Sequence, residues 1–507
     1  MRKALALLFI VPLAAAADLA TRLDHIIDSA PDLSYSWFAA LVERARPGQR
    51  VHLHPIVGAE VLRLSDGRVL YARNSERLLV PASNMKLFTT ALALSKLGAD
   101  YRLTTRIAAN SGMSRSGRLA GDLELIGGGD LSLSGREYPY DSHAAPDAIY
   151  SFSAIEELAD RLIARGLKRV EGNVIGDDSR YVWEPQPDGW PSPSATREYV
   201  APVSALVLHD NIFALTLWPG ERAGDLARIA PAPAFENFAI DNRVVTIEGG
   251  ERKIELSRGA SGRELRAWGV IPRGDAGFRE ELAIGDPALY AAESLRDALL
   301  RRRVAIRGQA IARHHFPNQS VTGPNSYVVL AEHRSPPMLE LLQVMVKVSQ
   351  ALHAEIVLRE VAVASGHLGS RQAGLDAMND FLAGIGIPKA DHEFADGSGL
   401  SRATQVTPAA IIQLLAYMNS SSYREQWLAL LPIGGEDGTL GARFTGHPEA
   451  RNIHAKTGTL SQVRALSGYA DTPGQGRVAF SFLVNNIDGP GTGVPAVLDQ
   501  LALALLQ

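Results

Sequence analysis

The texture of the chain changes twice, and this constrains the fold more than any single motif. Apolar residues recur at three-to-four spacing over residues 19–46 and again over 83–96, the mark of amphipathic helices. The same period returns over 337–364, 370–383 and 407–418. Between about residue 101 and residue 325, short strand-like runs alternate instead with Gly, Pro, Asp and Asn turns. With 507 residues, the chain is too long for one ordinary core. A helical pattern interrupted by a β-rich stretch and then resumed implies one folding unit split by an insertion. The expected divisions are a leader over 1–17, a first part over 18–100, an inserted β-rich region over 101–325 and a second part over 326–507.

The smaller pieces fit this frame. Two β-like runs, 58–64 and 68–73, flank Ser65-Asp66-Gly67, and Asp-Gly between such runs is a strong hairpin signal. Pro81 stands just before the helix at 83–96, and Gly98 is placed as its C-terminal cap. Strands are expected at 123–126, 170–175, 213–217 and 243–248, and one helix at 287–303. The Pro-rich stretch 183–193 holds Trp183 and Trp190 and reads as a loop. The chain closes with strands at 463–469 and 478–485 and a helix at 493–506.

Composition narrows the function. Hydrophobic residues make up 46% and charged residues 21%, the mix of a folded soluble protein. A net charge of −4 gives no basic signature for nucleic acid. The absence of cysteine excludes disulfides, thiolate-bound metal and thiol nucleophiles. Arg2 and Lys3, the apolar run 4–16, and Ala15-Ala16-Ala17 before Asp18 form a secretory leader pattern. That run falls short of the ~20 apolar residues a membrane span needs. The mature protein is expected to begin near Asp18, to work outside the cytoplasm (periplasmic or otherwise extracytoplasmic), and to have no integral membrane span.

Ser83 and Lys86 lie three apart on the predicted helix, so their side chains share one face. Near a helix N-terminus, backbone N–H groups and the dipole favour charge developing on an attacking oxygen. A lysine among apolar neighbours such as Leu87 and Phe88 has its amine pKa lowered and can act as the base. Far downstream stands Lys456-Thr457-Gly458-Thr459. On an edge strand it offers a cation, a hydroxyl, a glycine that lets a substrate backbone approach, and a backbone N–H that can join that of Ser83 in an oxyanion hole.

S-x-x-K followed by K-T-G resembles the marks of β-lactamases and penicillin-binding proteins. The chain is similar to the low-molecular-mass class C penicillin-binding proteins, the D-alanyl-D-alanine carboxypeptidase/endopeptidase family with a large insertion after the S-x-x-K helix. The likeness runs through residues 74–90, 121–130, 202–211, 333–337, 396–402, 431–440 and 456–469. It implies an α/β (α+β) catalytic domain of the β-lactamase/DD-peptidase type, an antiparallel sheet flanked by helices and split by the insertion. It also implies that Ser83 is acylated, with Lys86 as general base. Ser349 would relay a proton to the leaving amine. Lys456 and Thr457 would meet the substrate carboxylate, and the N–H groups of Ser83 and Thr459 would hold the oxyanion. The implied partners are peptidoglycan stem peptides, with β-lactams as covalent inhibitors and no metal or organic cofactor. The family's S-x-N motif falls on Ser349-Gln350-Ala351, so alanine stands where the pattern has asparagine. The same machinery would serve a β-lactamase or an esterase, and the alanine leaves room for a catalytically weakened cell-wall binding or regulatory protein.

Other signals carry less. His52 and His54 alternate on a strand without an evident third ligand. His392-Glu393 lacks the second histidine of H-E-x-x-H, and Gly397-Ser398-Gly399 follows Asp396 rather than forming a G-x-S-x-G elbow. Gly127-Gly128-Gly129 reads as a turn, and Arg301-Arg302-Arg303 as a solvated helix end.

Overall fold

The computed structural model describes residues 18–33, 55–144, 149–190, 197–234, 239–259, 264–319, 327–489 and 491–507. The expected leader, the second half of the first predicted helix, His52 and His54, and the end of the 183–193 loop lie outside these residues.

An antiparallel five-stranded sheet organises the two ends of the chain. Its strands are β1 (Ile56–Arg63), β2 (Arg68–Arg73), β3 (Ile453–Leu460), β4 (Val463–Thr472) and β5 (Gly476–Asn485), in the order β3-β4-β5-β1-β2. The turn at 64–67 closes the β1–β2 hairpin, with Gly67 at φ 70°, a conformation glycine adopts without steric cost. β1 pairs directly with β5, Val61 opposite Phe480, so segments distant in sequence share one sheet. Alternation along the strands gives the sheet two apolar faces. Val57, Ala59, Val61, Phe480 and Phe482 pack under helices α1 (Leu19–Ser29) and α8 (Val494–Leu505). Ala465, Tyr469, Ala479 and Leu483 face the opposite way, into a helical lobe.

That lobe contains α2 (Met85–Lys96), α3 (Met338–Lys347), α4 (Ala351–Ala364), α5 (Arg371–Gly384), α6 (Pro408–Ser420) and α7 (Arg424–Leu430). Its core includes Phe88, Leu92, Met345, Leu358, Leu414 and Trp427. Fully burying such a side chain contributes about 1.5–3 kcal/mol, so the lobe is a stable wall for whatever lies between it and the sheet. The periodicity over 337–364 suggested one helix, but the structure breaks it at 348–350 and places Ser349 at φ 64°.

The inserted region is mostly strands with two α-helices among its described residues. A five-stranded sheet in the order Ala310–His315, Val174–Val182, Leu123–Ile126, Thr104–Ala109, Val328–Arg334 is backed by helices Ser153–Ala164 and Pro287–Arg301. Its last strand carries the sheet past residue 325. Three three-stranded sheets complete the region among the described residues. The buried Glu360 carboxylate on α4 ties the region to the helical lobe: Tyr101, Arg180 and Tyr181 all donate to it.

Candidate active site

Ser83 lies in the 3-10 turn Ala82–Asn84, immediately ahead of α2. Ala82 just before it has φ 48°, a left-handed conformation that costs a non-glycine residue energy and occurs where surrounding contacts impose it. Those contacts are close. A Cβ on Gly399 would come within 1.9 Å of the Ala82 carbonyl oxygen, and one on Gly458 within 2.6 Å of that of Pro81. The K-T-G glycine thus lets β3 approach the serine turn itself. Asn84 fastens the same junction: with its amide oriented to satisfy both ends, it donates to the Lys456 carbonyl at 2.8 Å and accepts from Ser467 Oγ at 2.7 Å.

Lys86 is fully buried one turn along. Its Nζ donates to Ser83 Oγ at 3.0 Å and to the Ser398 carbonyl at 2.8 Å. Burial brings the amine down to about 8, partly offset by the carboxylates of Asp396 and Glu355. Those two carboxylates also build the loop that presents Ser398. Glu355 accepts from the backbone N–H groups of Gly397 and Ser398, and Asp396 accepts from those of Gly399 and Ser401 and from Trp190 Nε1. Burial, with Asp396 nearby, raises the Glu355 carboxyl despite the opposing Arg359.

Opposite, Lys456 Nζ on β3 donates to Ser349 Oγ at 2.8 Å and to the Thr457 carbonyl at 3.0 Å. Burial and the Lys86 charge hold this amine well below its ordinary value. Thr457 Oγ1 lies 2.8 Å from Thr439 Oγ1, and the loop carrying Thr439 is pinned by the 2.5 Å ion pair of Lys347 with Asp437. β3 is the edge strand of its sheet. Its first residues are covered by the 432–434 segment, with Ala455 N donating to the Pro432 carbonyl and Gly434 N to that of Ile453, so the part of the edge that faces the cavity begins at Thr457.

A cavity of about 800 Å³ joins these parts. Ser83, Lys86, Ser349, Thr457 and Thr459 line it; Lys456 and Gly458 sit behind that lining. Arg136, Trp190, Glu198, Tyr199, Ile212 and Glu281 of the inserted region form its far wall. Ala351 also lines it, as the first residue of α4. Gln350 does not take the place of the missing asparagine: its side chain accepts from Leu352 N and donates to Asp210. No group of three or more His, Cys, Asp or Glu suited to a metal occurs among the described residues.

Sequence reasoning placed the two lysines and two serines but missed Asn84, Thr439 and the Asp396 loop. Thr439 and Asp396 lie in stretches that resemble the family, yet Ser398 acts through its carbonyl, which no side-chain motif reports.

A serine hydroxyl hydrogen-bonded to a buried lysine amine, with a second serine–lysine pair at the opposite wall of the cavity, is the arrangement of a serine hydrolase of the serine–lysine type. The chain belongs to the D-Ala-D-Ala carboxypeptidase 3 (S13) family, whose model matches residues 49–502. It is 31% identical to the D-alanyl-D-alanine carboxypeptidase of Actinomadura sp. (strain R39), over 89% of this chain and 81% of that one. It is 26% identical to the D-alanyl-D-alanine carboxypeptidase DacB of Haemophilus influenzae, over 86% of each. The fold matches the crystal structure of penicillin binding protein 4 from Haemophilus influenzae with a TM-score of 0.76 at 23% identity, covering 92% of this chain and 98% of that one. A second structure of that protein, complexed with a β-lactam, matches with a TM-score of 0.70 at 22% identity over the same shares. The protein is accordingly a serine-type D-Ala-D-Ala carboxypeptidase with a mixed α/β fold.

Proposed function

We propose that this carboxypeptidase works through an acyl-enzyme on Ser83, acting outside the cytoplasm on the D-Ala-D-Ala ends of peptidoglycan stem peptides. The observation that carries the reading is the 3.0 Å contact between Lys86 Nζ and Ser83 Oγ in the wall of the cavity. Neutral Lys86 takes the hydroxyl proton as Oγ attacks the carbonyl carbon of the penultimate D-alanine. The oxyanion rests on the N–H groups of Ser83 and Thr459. As the C–N bond breaks, Ser349 passes a proton to the departing amine of the terminal D-alanine and is reprotonated through the neighbouring lysines. Water then hydrolyses the ester. Thr457, Thr439 and Lys456 behind them meet the terminal carboxylate, whose charge restores the Lys456 cation that burial disfavours. A β-lactam presents the same carboxylate and an acylating amide, so it would trap Ser83 as a stable ester. The basic flank and apolar run at residues 2–16 support the extracytoplasmic location. Among the described residues no helix is long and apolar enough to cross a membrane.

The purified protein should take up a fluorescent penicillin covalently, with the adduct on the peptide that contains Ser83. An unlabelled protein at saturating reagent and long incubation, or an adduct on another residue, overturns the reading. The pH dependence follows from the base. Lys86 is active only when neutral, and its pKa is lowered to about 8, so the acylation rate constant should rise with pH and reach half its plateau near pH 8. A rate that is flat or falls between pH 6 and 9 removes Lys86 from that role.

A further inference from the structure

Ser349 is the middle of the three residues between α3 and α4, at φ 64°, and the sequence around it contains no glycine or proline to make that break. A left-handed serine there needs an external hold. On one side its Oγ accepts from Lys456. The other side is held from the inserted region. His209, Asp210 and Asn211 are three consecutive non-glycine residues at φ 53°, 54° and 57°. That turn is fixed by its own contacts: His209 Nδ1 lies 2.8 Å from Tyr290 Oη, and Asn211 Nδ2 donates to the Pro202 carbonyl at 2.9 Å. It delivers a fully buried carboxylate to the base of the Ser349 turn. Asp210 Oδ2 accepts from Gln350 Nε2 at 2.8 Å and from Arg136 Nε at 2.6 Å, while Oδ1 lies 2.9 Å from His353 Nε2. The other end of the Gln350 amide accepts from Leu352 N at 3.0 Å, so that side chain is held at both ends.

We propose that Asp210, contributed by the inserted region, is a positioning residue that acts through Gln350 to hold Ser349 in its left-handed, cavity-facing conformation. Ala351 offers no polar side chain to fasten this turn from the cavity side. With Ala351 there, the turn is fastened from behind, and the inserted region becomes part of the proton-relay machinery rather than only a wall of the cleft. The inference rests on the acyl-enzyme reading above.

The test is a double-mutant cycle on the rate constant for acylation by a fluorescent penicillin, using wild type, Gln350→Met, Ser349→Ala and the combined variant. Gln350→Met keeps the stem length and leaves the Arg136–Asp210 pair intact; it also removes the cap on Leu352 N, a loss that thermal denaturation reads separately from the rate. It should slow acylation roughly 10-fold in the wild-type background, the worth of one hydrogen bond to a charged partner. In the Ser349→Ala background it should change the rate less than about twofold, because the group being positioned is already gone. Asp210→Asn should slow acylation in the wild-type background and lose most of that effect when Ser349 is alanine. Equal losses in both backgrounds indicate a general packing role and overturn the proposal, as does no loss in either. Failure of the wild type itself to label removes the acyl-enzyme reading, and this inference with it.

Discussion

Lys86→Met should lower the acylation rate constant by roughly 10²–10⁴-fold, the range general-base catalysis supplies, while leaving the protein folded. Methionine reproduces the length and most of the volume of the lysine stem, so the buried channel beside Leu87 and Phe88 stays filled. What disappears is the amine proposed to take the Ser83 proton and the donor to the Ser398 carbonyl. Leaving that carbonyl unpaired costs about 1–3 kcal/mol. Against this, the fold no longer has to bury an ammonium whose ion pairs do not close: Lys86 forms no salt bridge among the described residues, and Asp396 and Glu355 act on it only at longer range. The two effects oppose, so thermal denaturation should show a small shift. Residual labelling should lose the rise near pH 8. A variant that labels at the wild-type rate would mean that another group takes the proton. One that unfolds would mean that the amine is chiefly structural.

The residues of the candidate site that stand at fixed local spacing were legible in the sequence. Ser83 and Lys86 are one helical turn apart, and Lys456-Thr457-Gly458-Thr459 forms part of a single edge strand; such spacing survives whatever the rest of the chain does. The β1–β2 hairpin was legible for the same reason, because Asp66-Gly67 determines its turn locally. The break at Ser349 was not. Apolar residues continue at helical spacing through Val344, Met345, Val348 and Leu352, and the residue that caps α4 is Gln350, outside the usual Ser, Thr, Asp and Asn set. The helix ends there because contacts from elsewhere outweigh local preference: Lys456 from the far strand, and Asp210 from the inserted region. The Lys86–Ser398 contact was hidden for a related reason, since a backbone carbonyl acquires its role only from the loop that Asp396 and Glu355 fold around it.

The inserted region shows a similar division. Strand 123–126 and the helix beginning at Pro287 coincide with their expected positions, each marked by alternation or by Pro at the first helical turn with Asp286 as cap. The expected run 170–175 is split: Arg169–Val170 pairs in a small sheet of its own, and the central strand begins at Val174 and continues to Val182 through Asp177 and Asp178. Acidic residues argue against a strand until their partners are known: Arg313 pairs with Asp177, and Ser204 and His314 with Asp178. All three partners come from distant sequence, so a local pattern had no access to them.

Ala351→Asn should raise the acylation rate constant, and this is the most informative gain the structure offers. Lys86 has three donors, of which two are used among the described residues, by Ser83 Oγ and the Ser398 carbonyl. Ala351 shares the cavity lining with Lys86 and Ser349, so an asparagine side chain would extend into open space rather than into packed core. Its Oδ1 can accept the remaining Lys86 proton and its Nδ2 can donate to the substrate's amide carbonyl, which closes the array on one side of the nucleophile. A hydrogen bond to a charged partner contributes about 1.5–3 kcal/mol, or roughly 10- to 150-fold in rate if it is made in the transition state. The sign of a second effect also follows. An acceptor beside Lys86 favours its charged form, so the pH midpoint should move upward and the gain should be larger at pH 9 than at pH 7. Ala351→Leu is the control, since it fills the same space without a polar group and should leave the rate unchanged or lower. If asparagine gives no gain at either pH, the machinery is complete without a side chain at 351, and the hold that Asp210 exerts on Gln350 from behind is sufficient for the reaction.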